Sequence, residues 1–275
     1  MWTNRVALGI TAIVALSGAA ATQAFGDTVR VSTDQGRIIV TDTASGRVLY
    51  DQRNQRVYNN RNNAVFVVPE LEVVPQPAGM DLVFTYHNDE SEARPLADMR
   101  VGPLVMPDNL TFQDTKMLGG QDMEISPEHR PSIAYTYPDN TYAPVYVLRD
   151  EEQAVGVSLL YPLFEYKHDA QFRFRQAPPT DEGDRGWMMD IRISALEDDN
   201  DGRGWIDYSA SLEPGESRKY TVAIRYDREP EEWVRTLLPY RDYFRDLYGG
   251  VHYQRRTDPV VGYSTCEHTN LTPSN

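Results

Sequence analysis

The feature that most constrains this chain is the two-residue alternation of apolar and polar side chains that starts near Thr28 and recurs along most of its length. Val29-Arg30-Val31-Ser32 leads to a turn at Asp34-Gln35-Gly36, residues 37–41 lead to a turn at Ala44-Ser45-Gly46, and residues 47–50 resume the pattern. Successive strand side chains point to opposite faces, so this is a meander of half-buried strands. The same pattern marks residues 64–68, 71–74, 80–87, 99–106, 132–137, 145–149, 154–161, 164–175, 187–195, 204–211 and 217–226. About a dozen strands exceed the roughly seven of a small immunoglobulin-type module. Twisted sheets of that size split into packed layers, which predicts an all-β fold, a large antiparallel two-sheet β-sandwich.

One stretch has helical spacing instead. Pro230 suits a first helical turn, Glu231 and Glu232 suit its positive end, and Trp233, Leu237, Tyr240, Phe244 and Leu247 form an apolar stripe. Pro239 removes a backbone donor within it, predicting a short C-terminal kinked helix, or two short ones, over residues 230–248 that packs on the sandwich edge.

Arg5, the apolar run of residues 6–16, the small residues 17–21 and Thr22-Gln23-Ala24 have the layout of a secretory leader. The apolar run is short of the ~20 residues that span a bilayer, and an uncleaved membrane anchor, whose length range it overlaps, is the minor alternative. The expected organisation is a signal peptide over 1–24 with cleavage near Ala24 or near Ala21, a sandwich domain over 25–258, and an extended tail or linker over 259–275. Export predicts a periplasmic or extracellular location.

Cys266 is the only cysteine, so no intramolecular disulfide forms and the core must supply the stability. Forty-one acidic residues against 27 basic ones give a net charge of −14, which opposes nucleic-acid binding. Walker, dinucleotide and nucleophile-elbow motifs are absent from the sequence.

The segment Leu212-Glu213-Pro214-Gly215-Glu216-Ser217-Arg218-Lys219-Tyr220, the strand after it, and residues 233–244 resemble the end of a galactose-mutarotase-like supersandwich domain. Ala143-Pro144-Val145 and residues 156–162 fit that domain's consecutive strands. Such domains precede (β/α)8 barrels in bacterial glycoside-hydrolase-like proteins, and the resemblance covers roughly residues 27–258. It implies an accessory, carbohydrate-binding part that is non-catalytic alone, because the barrel supplies the hydrolytic carboxylates. A barrel takes about 250 residues, for which this sequence has no room.

Sugar rings stack their C–H faces on aromatic side chains. Tyr135, Tyr137, Tyr142, Trp187 and Trp205 are therefore candidate carbohydrate-binding residues, with core packing as the commoner role of each. A mutarotase-like epimerase or a polysaccharide lyase would need a histidine and a carboxylate converging on the sugar, for which His168, Glu165 and His129 are the candidates. Within one regular strand Glu165 and His168 would face opposite ways, so only a bulge or loop would bring them together, and a solvated strand end is the commoner reading of that cluster. Asp199 and Asp201, in an acidic loop with Gly202, are candidate Ca2+ ligands. An EF-hand frame fails there because Tyr208 stands where the closing Glu should be. A structural envelope protein is the third functional class that the sequence leaves open. The partners expected are glycan and a (β/α)8 catalytic domain, with no nucleic acid and no membrane after leader removal.

Overall fold

A computed structural model describes residues 23–25, 28–34, 36–53, 65–106, 110–113, 122–126, 132–138, 141, 143–166, 168–176, 186–195 and 210–249. In chain order the strands are β1 (Gln23–Phe25), β2 (Val29–Asp34), β3 (Arg37–Asp42), β4 (Val48–Arg53), β5 (Glu70–Gln76), β6 (Gly79–His87), β7 (Arg94–Pro95), β8 (Met99–Leu104) and β9 (Leu110–Gln113). They continue as β10 (Asp122–Ile125), β11 (Ser132–Tyr137), β12 (Val145–Arg149), β13 (Ala154–Leu160), β14 (His168–Gln176), β15 (Trp187–Ala195), β16 (Ser211–Leu212) and β17 (Ser217–Asp227). A one-turn helix α1 (Leu163–Tyr166) joins β13 to β14, and the described residues end in a 3-10 helix, Pro230–Leu237, followed by α2 (Leu238–Tyr248).

The strands form an eight-stranded sheet in the order β1-β2-β3-β4-β8-β15-β14-β11 and a seven-stranded sheet in the order β10-β9-β12-β13-β17-β6-β5, with β16 and β7 pairing separately. The long pairings are antiparallel. The fold is thus the two-sheet sandwich that the alternation predicts. Each strand sends one parity of side chains between the sheets: Met80, Leu82, Phe84 and Tyr86 of β6 and Tyr220, Val222 and Ile224 of β17 are all 0% exposed. From the other sheet Val29, Val31, Val40, Met99, Val101, Phe172, Phe174, Met189 and Ile191 meet them. Burying each large apolar side chain contributes about 1.5–3 kcal/mol, so this layer dominates the stability.

β13 departs from alternation because both its faces are covered, and all seven of its residues are buried. The C-terminal helices lie on its outer side. Gly156 of β13 gives them access: a Cβ there would lie 2.2 Å from Thr236 Oγ1 and 2.5 Å from Thr236 Cβ. Thr236 is 1% exposed and its hydroxyl donates to the Trp233 carbonyl at 2.6 Å.

Several expected boundaries move. Residues 164–166 are helical rather than extended, since Pro162 ends β13 and its carbonyl accepts the N–H groups of Glu165 and Tyr166. Within the expected strand at 64–68, Val67 makes only a parallel bridge to Leu96. The kink at Pro239 takes the form of a change of helix type, with Pro239 in the first turn of α2, where its missing donor leaves no bond unmade. Of the apolar stripe, Leu247 is 45% exposed. Residues 1–22, most of 204–211 and 251–275 lie outside the described residues.

Candidate functional site

His168 opens β14 with the parity of Ala170, Phe172 and Phe174, so its ring enters the space between the sheets. There its Nε2 meets Nη1 of Arg218 from β17. A guanidinium has no lone pair to offer, so Nε2 accepts and the ring proton sits on Nδ1. That Nδ1 is buried without a hydrogen-bond partner. Burial and the Arg218 charge hold His168 well below its usual value, at about 4. Arg218 is itself fixed by Glu216, with Nε donating to Oε1 at 2.7 Å, and it lies 5.5 Å from the centre of the Tyr166 ring. Tyr166 stands edge-on to Tyr220 at 5.6 Å and near-parallel to Tyr161 at 6.3 Å, so the ring that meets the paired cation belongs to a cluster of three tyrosines.

Glu165 does not join His168. It is exposed on α1 and accepts a hydrogen bond at 2.6 Å from the Tyr248 hydroxyl of α2. The two candidates therefore serve different contacts, and among the described residues they form no acid/base pair. An imidazole that stays neutral down to about pH 4 is a poor proton donor at neutral pH.

Trp187 is corrected by the structure. It is 1% exposed, in the core between the sheets, and has no face for a sugar ring. Tyr135 and Tyr137 share the inward face of β11, an edge strand, and are half-buried. The Tyr135 ring lies 6.1 Å from Tyr146 of the opposite sheet. Burial, and then the nearby Asp169, push the Tyr137 hydroxyl above its usual value. His129, Tyr142, Trp205, Asp199 and Asp201 lie outside the described residues. Among the described residues no three His, Cys, Asp or Glu side chains cluster as a metal site.

The outer face of the eight-stranded sheet carries a constellation that sequence reasoning missed. Ile191 and Ile193 of β15 point inward, which sends Asp190, Arg192 and Ser194 outward. On β14 the outward residues are Asp169, Gln171, Arg173 and Arg175, and Arg100 of β8 pairs across from Asp190. Asp190 bridges two cations, accepting from Arg100 Nε at 2.8 Å and from Arg175 Nε at 3.1 Å. Arg192 Nε reaches Asp98 at 3.2 Å. Burial raises the Asp98 carboxyl above the usual range despite the pull of Arg192. The face continues onto β3 and β4, where Arg37 grips Asp51 through two bonds of 2.7 and 2.6 Å and Arg53 approaches it at 3.6 Å. Arg30 on β2 and Arg173 on β14 are exposed, with no ion pair to another described residue.

Among the described residues of this face, Arg30, Arg37, Arg53, Arg100, Arg173, Arg175 and Arg192 outnumber Asp34, Asp51, Asp98, Asp169 and Asp190. Among the described residues, then, this sheet face is rich in arginine in a chain of net charge −14. The signal in the sequence is local: Arg173 and Arg175, and Asp190 and Arg192, sit two apart in mid-strand, the spacing that puts charges on one face. What the sequence does not show is that β8, β15 and β14 are neighbours.

No protein family matches the chain, and no curated protein matches its sequence. Among solved structures it is similar to a TPR-domain-containing protein from Parabacteroides distasonis, with a TM-score of 0.43 and 8% identity over 74% of this chain. The chain spans about half of that protein, 46% of its length. It is also similar to a putative aldose 1-epimerase from Escherichia coli K12, with a TM-score of 0.42 and 12% identity, over 76% of this chain and 99% of the other.

Proposed function

We propose that this chain is an exported, periplasmic or extracellular, carbohydrate-binding β-sandwich that is non-catalytic alone and supports a (β/α)8 catalytic partner. The observation that carries the reading is the arginine-rich outer face of the eight-stranded sheet, with Asp190 holding Arg100 and Arg175 in fixed orientation. Guanidinium forks recognise carboxylates through paired hydrogen bonds and also donate to sugar hydroxyls. An uronate-bearing glycan lying across the strands would take its charge contacts from Arg173 and Arg30 and its hydroxyl contacts from the fixed ladder between them.

The catalytic alternative, an epimerase or lyase, requires imidazole and carboxylate on one side of the sugar. His168 meets Arg218, which stands between it and the carboxylate near it, Glu216, while Asp98 and Asp190 belong to the outer face. That separation favours binding over turnover.

Calorimetric titration of the mature chain with polygalacturonate and with neutral dextran, with and without Ca2+, tests the reading. Product analysis of each mixture accompanies it. Saturable, salt-sensitive binding of the acidic polymer without turnover is expected; a Ca2+ requirement would bring the Asp199 and Asp201 loop into the site. Binding of neither polymer sinks the proposal, and turnover moves the epimerase or lyase reading ahead of it.

A further inference from the structure

Ser217, His87 and Asp89 meet where β17 begins and β6 ends. Ser217 and His87 stand opposite one another in the β17–β6 pairing. Both point to the outer side of the seven-stranded sheet, since Tyr86, Tyr220 and Val222 point into the core. The Ser217 hydroxyl oxygen lies 2.6 Å from Nδ1 of His87, and Nε2 of the same ring lies 2.9 Å from Oδ1 of Asp89. A carboxylate only accepts, so in the neutral imidazole Nε2 carries the proton and Nδ1 keeps its lone pair. The Ser217 hydroxyl therefore donates to Nδ1, and carboxylate, imidazole and hydroxyl form one relay.

A buried group holds the backbone on both sides of this relay. Asn88, between His87 and Asp89, is 1% exposed. Its side-chain nitrogen donates to the Glu92 and Leu212 carbonyls at 2.9 and 2.8 Å, and its Oδ1 accepts from the Glu90 N–H at 3.1 Å. Its own N–H donates to the Glu216 carbonyl at 3.0 Å, and its carbonyl accepts from the Gly215 N–H at 2.8 Å. One asparagine thus ties the segment that carries Asp89 to the turn that delivers Ser217. Lys219, the next outward residue of β17, is exposed and makes no ion pair to another described residue, so its ammonium is available to negative charge beside Ser217. The His87 side chain is 49% exposed and that of Asp89 87%, so the site suits a bond presented at the surface rather than a ligand that needs a cavity.

We propose that Ser217 is an activated nucleophile that cleaves short-chain acyl esters, with His87 as its general base and Asp89 as a positioning residue. His87 Nδ1 takes the hydroxyl proton as Ser217 Oγ bonds to the ester carbonyl carbon, and the carbonyl electron pair moves to its oxygen beside Lys219. Collapse breaks the bond to the alcohol oxygen, which departs with the proton from Nδ1 and leaves acyl-Ser217. Water then adds to the acyl carbon, its proton passes through Nδ1 to Ser217 Oγ, and the carboxylic acid departs. The site lies on the other sheet from the arginine-rich face and acts on a different bond, so it goes beyond the glycan reading, in which the chain alone cleaves no glycosidic bond.

The test is reaction of the full chain with a fluorophosphonate, which marks activated serines, followed by peptide mass spectrometry. Release of p-nitrophenol from p-nitrophenyl acetate is followed alongside. An adduct at Ser217 and none at the exposed Ser211 is expected. Ser217→Ala should remove the adduct, and His87→Gln should slow both labelling and ester cleavage at least about tenfold. Asp89→Asn should slow both by a smaller factor, and Asp89→Glu, which keeps the carboxylate, should recover part of the rate. All three positions are exposed, so unfolding midpoints should match the parent. No adduct at Ser217, or parent rates in His87→Gln, overturns the proposal. Polygalacturonate binding by a chain that takes no adduct removes the ester site and leaves the glycan reading in place.

Discussion

Gly156 and Thr236 are fitted to one another: the space that a side chain would take on the central strand β13 is filled by the Thr236 side chain, with the built Cβ 2.2 Å from its hydroxyl oxygen. This contact seats the C-terminal helices on the seven-stranded sheet. Gly156→Ala is expected to lower stability by about 1–3 kcal/mol, since neither the strand backbone nor a 1%-exposed Thr236 can withdraw freely. Urea unfolding measures the loss. In a Thr236→Gly background, which lacks both the Oγ1 and the Cβ that the new methyl would meet, Gly156→Ala should cost less than in the parent chain, and an unchanged cost would mean that Gly156 serves the strand alone.

His168 makes stability depend on pH in a definite direction. Its folded value of about 4 lies below the ordinary 6.5, because burial and Arg218 disfavour the charged ring while Glu216 offsets them only in part. Between those values the unfolded chain binds the proton first, so this residue lowers stability as pH falls from about 6.5 toward 4. The ring is only partly buried, which limits the effect to on the order of 1–2 kcal/mol. Unfolding curves at pH 7.5, 6 and 5 in parent and His168→Gln chains measure it, and an unchanged slope in the variant would assign the acid sensitivity elsewhere.

Asp190 and Arg173 separate architecture from recognition on the same sheet face. Asp190→Asn leaves Arg100 and Arg175 without their shared carboxylate and should destabilise the fold by about 1–3 kcal/mol. Arg173→Gln changes an exposed side chain with no ion pair to a described residue, so stability should stay within ~0.5 kcal/mol. Polygalacturonate affinity and its salt dependence should fall in the Arg173 variant. Thermal unfolding and calorimetry on both proteins distinguish the two roles.

Trp187→Ala should cost about 3–5 kcal/mol, the penalty for emptying the place of a large core side chain, whereas a glycan-contact tryptophan on the surface would cost little. Denaturant titration gives the value directly.

Much of the fold is written in the sequence at short range. Tyr220, Val222 and Ile224 announce both that β17 is a strand and which face it buries, and Pro230 marks where the helices begin. Residues 164–166 read as a strand because Phe164 and Tyr166 continue the alternation of their neighbours, yet Pro162 and its carbonyl bonds turn them into a helix. Trp187 shows the other limit: its aromatic ring suits a sugar as well as a core, and only its register against Leu104 and Gln176 decides. The arginine-rich face was out of reach for a related reason. Arg37, Arg100 and Arg173 come from distant parts of the chain, and it is the order β3-β4-β8-β15-β14 that places them on one surface.

The seven-stranded sheet has a temporal consequence. β17 lies between β13 and β6, so before residues 217–227 are available this sheet exists only as two fragments, β10-β9-β12-β13 and β6-β5, that share no strand pairing. The facing edges of those fragments belong to two of the most apolar strands of the chain, β13 and β6. Folding must therefore wait for the late arrival of a single strand and close loops of great sequence separation, which places it among slow, non-local folders. Until β17 arrives, the edges of β6 and β13 are open to pairing with other chains.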